Sequence, residues 1–158
     1  MGHEASGDSR YDSDIVLTTA AGASEVGFVT SPGGGPTVAP APSSHPTMPR
    51  VILWLESCAD LPTAAIFSGE GYRIIDSCRQ STGPAGQTIV VVTERCTGCP
   101  HKYTIYYDVY VTWRNAWVNL IVNRDTKRGG PNNSLAAPVL SADQLVGIAI
   151  NPDLTVTS

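Results

Sequence analysis

Between residues 103 and 113 the chain alternates without a break, and nothing else in the sequence constrains the fold as strongly. Tyr103, Ile105, Tyr107, Val109, Val111 and Trp113 occupy the odd positions, with Thr104, Tyr106, Asp108, Tyr110 and Thr112 between them. A period of two with one apolar face predicts a half-buried antiparallel strand. In residues 117–123 the apolar set moves to even positions, Val118, Leu120 and Val122. The two strands share a core face only if paired residue numbers sum to an odd value, which demands a turn of two or four residues. Asn115-Ala116 as the turn predicts Val111 opposite Leu120 and Val109 opposite Val122. Asn tolerates positive φ, whereas Ala is a poor substitute for the usual Gly.

Other strands are expected around this hairpin. Residues 88–93 are a β-branched run, residues 72–75 read as a short strand, and residues 51–55 are a further candidate. A Gly-Pro turn is expected at 81–86. After a polar loop the chain closes on a helix signal over 141–150. Ser141 is its N-cap, Gln144 completes a capping box, and Asp143 suits the positive helix end. Leu145, Ile148 and Ala149 form a narrow apolar stripe, and Asn151-Pro152 stops the helix. Two turns cannot stand alone in water, so the stripe must pack on the sheet. The fold class expected is therefore α+β, mostly antiparallel β in hairpins or a meander, with a short C-terminal capping helix.

Composition divides the chain. Residues 1–29 read as a poorly ordered arm, polar and acidic at first, with short strands conceivable only at 15–17 and 26–29. Residues 30–50 are a Pro/Gly-rich linker, where prolines remove backbone donors and fix φ. Residues 51–158 then form the small β-rich domain. The arm shows neither a basic segment nor an apolar one of signal-peptide type, which leaves either a cytoplasmic chain or a start that is not that of an exported precursor.

Charge and hydropathy exclude two classes of partner. The net charge is −4 and the arginines are scattered, so no run neutralises successive phosphates and nucleic acid is not an expected partner. No stretch approaches the ~20 apolar residues of a membrane-spanning helix.

Four cysteines carry the remaining chemistry: Cys58, Cys78, Cys96 and Cys99. Their even number suits two disulfides, and sequence alone leaves all three pairings open. A Cys58–Cys78 bridge would close a loop of about twenty residues and stabilise by about 3 kcal/mol in the chain-entropy account. Cys96-Thr-Gly-Cys99-Pro-His101 also admits a zinc site built on Cys96, Cys99 and His101, though no second knuckle of matched spacing accompanies it. As a thiol-redox pair it lacks the helix N-terminus that lowers a cysteine pKa, with only Arg95 and Lys102 nearby as cations.

No nucleophile–base–orienter set is found for hydrolysis. His3 and His45 fall in the arm and linker, and Ser141 is spent as a cap. Asp108 with Glu94 or Asp125 could meet across the sheet as paired carboxylates, but a solvated face accounts for them more simply. Tyr106, Tyr110 and Thr112 share the outer face of their strand, with Trp117 and Ile121 on the same side of its partner. Such an aromatic row is a candidate binding face for glycans, peptides or another protein. The competing reading is a second core layer, covered by the 141–149 helix or by N-terminal segments.

The closing run Pro138-x-Leu140-Ser141-x-Asp143-Gln144-Leu145-x-x-Ile148-Ala149-x-Asn151-Pro152-x-Leu154-Thr155 resembles the end of a group of uncharacterised exported or membrane-anchored actinobacterial proteins. In that group a P-x-L-(S/T)-x-D-Q-L-x-x-I-A-x-(D/N)-P motif follows a β-hairpin. The likeness spans roughly residues 78–155, and Asn115-Ala116 replaces the Asp-Gly turn usual there. It implies a place outside the membrane, behind a transmembrane or lipid anchor, with an envelope protein or a glycan as partner. It brings no catalytic residues and no cofactor. The expectation is a non-enzymatic extracytoplasmic domain with a structural, binding or sensing role; the alternative is a zinc-binding or thiol-redox module on Cys96, Cys99 and His101.

Overall fold

The computed structural model describes residues 11–32, 55–61, 66–68, 71–97, 106–123 and 135–155. Among the described residues, seven strands form one antiparallel sheet: β1 (Tyr11–Thr19), β2 (Gly22–Pro32), β3 (Ile66–Ser68), β4 (Gly71–Thr82), β5 (Thr88–Thr97), β6 (Tyr106–Thr112) and β7 (Ala116–Asn123). Their spatial order is β1-β2-β7-β6-β5-β4-β3. Strands β3 to β7 are thus a meander, and the N-terminal hairpin β1–β2 is added beside its last strand. One α-helix, α1 (Ala142–Ala149), packs on one face. The α+β, β-rich class read from the sequence is the observed one.

The N-terminal arm is the main correction. Residues 11–29 are not a loose arm: β2 lies between β1 and β7, with Val26 opposite Val122 and Phe28 opposite Leu120. The strand signal there is weak because Gly22, Gly27 and Pro32 interrupt it. Its stability comes instead from a partner strand far along the chain. The Thr30 hydroxyl donates to the Trp117 carbonyl at 2.9 Å, across 87 residues of sequence. The linker expected over 30–50 therefore begins later than proposed, since Thr30–Pro32 belong to β2. Its remainder, the strand proposed for 51–54 and residues 1–10 lie outside the described residues. Leu55, at the end of that proposed strand, is not in a strand.

The central hairpin keeps its predicted parity but not its register. Val111 pairs with Val118, and Val109 with Leu120, two residues away from the pairing expected. The turn is Arg114-Asn115, closed by the Trp113 amide donating to the Ala116 carbonyl at 2.7 Å. Arg114 and Asn115 are exposed while Ala116 is buried. The slip thus puts a charged and a polar residue at the tip and returns an apolar one to the strand. Because it is an even shift, every side chain keeps its face.

On the other side of the meander, β4 and β5 are joined by the expected Gly-Pro turn. Gly86 has φ of +81°, a region that an L side chain rarely adopts. The buried Gln87 reaches back into this turn, its Oε1 accepting from the Ala85 amide at 2.8 Å.

Two apolar layers follow from the alternation. On the helix side, Val26, Ile89, Val91, Val109, Val111, Val118, Leu120 and Val122 meet Leu145 and Ala149. Ser141 and Gln144 form both hydrogen bonds of the capping box. The predicted stripe is corrected at one position: Ile148 is 42% exposed, whereas Leu145 and Ala149 are fully buried. Ala142 and Val146 contribute to the packed side in its place.

Candidate functional site

The aromatic row expected as a binding face does lie on one face, opposite the helix. In strand register, Glu94 of β5, Tyr106 of β6, Asn123 of β7 and Glu25 of β2 form one row. Val92, Asp108, Ile121 and Gly27 form the next, and Val90, Tyr110, Asn119 and Val29 the third. Facing positions in an antiparallel ladder project to the same side. Trp117 opens the row beyond, opposite Thr112.

That face is not an open surface. Tyr106, Tyr110 and Trp117 are each about 95% buried or more, at 4%, 5% and 3% exposure. Tyr110 and Trp117 pack with Val90, Val92 and Leu55, and with the partly buried Val29, Cys58, Leu61, Ile75 and Cys78. The candidate binding face is therefore corrected to a second core layer. Among the described residues, neither cover anticipated for it is the one found over Tyr110 and Trp117. The helix lies on the opposite face, and the apolar cover comes from residues 55–61, which include a short 3₁₀ turn at Cys58–Asp60.

A covalent bond holds this cover in place. Cys58 and Cys78 form a disulfide with Cα atoms 5.8 Å apart, one of the pairings the sequence left open. Cys78 sits on β4 opposite Val92, so the bond pulls the 3₁₀ turn onto the same layer. The Ser57 hydroxyl caps the turn by accepting from the Ala59 amide at 3.1 Å. The Cys58 amide donates to Gln80 Oε1 at 3.4 Å. Cys96 lies in β5 opposite Arg73, while Cys99 and His101 lie outside the described residues. Among the described residues, no three His, Cys, Asp or Glu side chains gather as a metal would require.

The layer has a polar end that the sequence reading placed in solvent. Glu25, Glu94 and Asp108 are all buried, each with 6% exposure or less. Asp108 and Glu94 are diagonal neighbours across β5 and β6, since Asp108 faces Val92 and Tyr106 faces Glu94. Asp125, the other partner considered, lies outside the described residues. Asp108 is held by neutral donors: the Tyr110 hydroxyl donates to Oδ2 at 2.7 Å and Asn119 Nδ2 to Oδ1 at 2.5 Å. Asn119 also donates to the Val109 carbonyl at 3.2 Å, which fixes its amide. Each carboxylate oxygen thus accepts a hydrogen bond, which offsets part of the cost of burying the group. Nothing in the local pattern marks Glu25 or Asn119 as members of this group, because their places depend on β2 and β6 flanking β7.

Comparison with protein-family models, with curated proteins and with solved structures finds no match to this chain.

Proposed function

We propose that this chain is a non-enzymatic extracytoplasmic domain, a structural or binding module of the cell envelope. The observation that carries the reading is the Cys58–Cys78 disulfide, which clamps the cover of a core layer onto the sheet. Disulfides that serve folding persist in oxidising compartments and are rare where thiols are kept reduced. A core divided between two faces of a single sheet gains much from such a clamp. The resemblance of the closing Pro138–Thr155 run to exported or anchored actinobacterial proteins supports the same location. Asp108 is engaged by Tyr110 and Asn119, which favours a structural use over acid–base work. An envelope protein or a glycan is the class of partner this reading implies.

The test is made in cells that produce the full chain. Intact cells are treated with a membrane-impermeant amine reagent, then lysed in the presence of a thiol-blocking reagent. The reading expects surface labelling at Lys102 or Lys127, with Cys58 and Cys78 recovered as a linked peptide pair. Protection from the reagent together with blocked, formerly free thiols at both cysteines overturns it. Stoichiometric zinc released from Cys96, Cys99 and His101 would move the assignment to a metal module.

A further inference from the structure

The sheet has two edges, and they are built differently. β3 is an edge strand of three residues, and its neighbour β4 is broken by a register shift between Ile75 and Ser77. Short edge strands and bulges are the usual devices that stop a sheet from pairing with another chain. β1 has neither: it pairs with β2 through nine consecutive residues without a shift, and no other described strand pairs with it. It contains no Pro, Lys or Arg. Among the described residues, three of the four large exposed apolar ones lie on β1: Tyr11 at 48%, Ile15 at 53% and Val16 at 51%. Its only charges are Asp12 and Asp14, and a long, regular edge that exposes apolar side chains is a template for strand addition.

We infer that β1 pairs with β1 of a second copy of this chain, antiparallel about a two-fold axis at Ile15, to give one continuous sheet. A two-fold axis normal to the sheet keeps each face continuous, so paired residue numbers must sum to an even value. Centring on Ile15 pairs all nine residues of β1. It places Ile15 opposite Ile15, Ser13 opposite Leu17, Tyr11 opposite Thr19, and Asp14 of one copy opposite Val16 of the other. A shift that centres on Asp14 sets two carboxylates directly opposite each other, which is destabilising. A shift that centres on Val16 leaves Tyr11 and Asp12 without partners in the other β1. The Ile15 register alone combines full length with no two carboxylates directly opposite, the two Asp14 side chains being only diagonal neighbours, and it brings the exposed apolar side chains of both copies to one seam. This partner is independent of the compartment proposed above.

A single strand pair belongs to the small, reversible class of interface, so a dissociation constant on the order of 10–100 μM is expected. Sedimentation equilibrium of the full chain across that range should show twice the mass of one chain at the upper end. Ile15→Lys brings two like charges face to face and should weaken the dimer at least about tenfold while leaving the far-UV spectrum and melting temperature unchanged. Ile15→Cys reads the register itself. Facing residues in an antiparallel pair have Cα atoms about 4.5–5.5 Å apart, within disulfide reach, so this variant should form a covalent dimer on mild oxidation. Tyr11→Cys should not, because at ~3.3 Å per residue its two copies stand roughly 26 Å apart. A chain that stays monomeric throughout overturns the inference. So does a dimer that ignores Ile15→Lys, or one that cross-links at Tyr11→Cys and not at Ile15→Cys.

Discussion

The Ser24 hydroxyl accepts a hydrogen bond from the Val139 amide at 2.8 Å, joining positions 115 residues apart. Ser24 is fully buried at the start of β2, and Val139 lies in the approach to α1. One side chain thus ties the N-terminal hairpin to the segment that delivers the helix to the sheet. Ser24→Ala removes the acceptor and leaves a part-buried amide without it, which costs about 1–3 kcal/mol. Denaturant unfolding should show a lower midpoint with an unchanged slope.

The disulfide should matter most to the face opposite the helix. Replacing Cys58 and Cys78 together by Ser lengthens the reach of the unfolded chain and lowers stability by about 3 kcal/mol. Trp117 reports on the same event, since it is 3% exposed beneath the layer that includes Leu55 and Cys58. With Trp54 and Trp113 replaced by Phe in both proteins, its fluorescence should shift to the red in the double variant under conditions where the parent is still folded. A variant with lower stability but an unshifted native spectrum would mean that the 55–61 cover keeps its place without the bond.

The central hairpin was legible because β6 and β7 each show alternation over enough residues to reveal a face. The register was not, because Val109, Val111, Val118, Leu120 and Val122 are interchangeable in pattern. Only the exposure of Arg114-Asn115 against the burial of Ala116 decides between the two even shifts. β2 was legible only as a short strand at 26–29 for a different reason: Gly22, Gly27 and Pro32 weaken its local signal, and its partner β7 begins 84 residues after β2 ends. For the face of Tyr110 and Trp117, a second core layer was legible as one of two readings, but what covers it was not, for a related reason. Their cover includes Leu55 and Cys58, and only the pairing of Cys58 with Cys78 brings that segment to them. The capping box was read in full because it is contained within Ser141–Gln144.

On the helix, Leu145 and Ile148 offer a comparison between similar side chains in opposite surroundings. Leu145 is fully enclosed by the sheet layer, and Leu145→Ala should cost about 2–5 kcal/mol. Ile148 is 42% exposed, so Ile148→Ala should move stability by about 0.5 kcal/mol or less. Thermal melts of the two variants beside the parent test this. Equal losses would place both residues in the interface and restore the three-residue stripe that the sequence pattern suggests.

Tyr110→Phe isolates one donor of the buried carboxylate. The ring stays in the layer with Val90, Val92 and Trp117, while Asp108 Oδ2 loses the hydroxyl at 2.7 Å. Leaving a buried acceptor without its donor costs about 1–3 kcal/mol, so a destabilisation of that size is expected despite the preserved packing. Asn119→Ala should cost more, because Asn119 also donates to the Val109 carbonyl and its loss opens space between β6 and β7. If the two donors act as one network, combining the substitutions will cost less than the sum of the separate losses, since the second finds the carboxylate already displaced. A double-mutant cycle by chemical denaturation measures this directly. Strict additivity would instead make Tyr110 and Asn119 independent supports of Asp108.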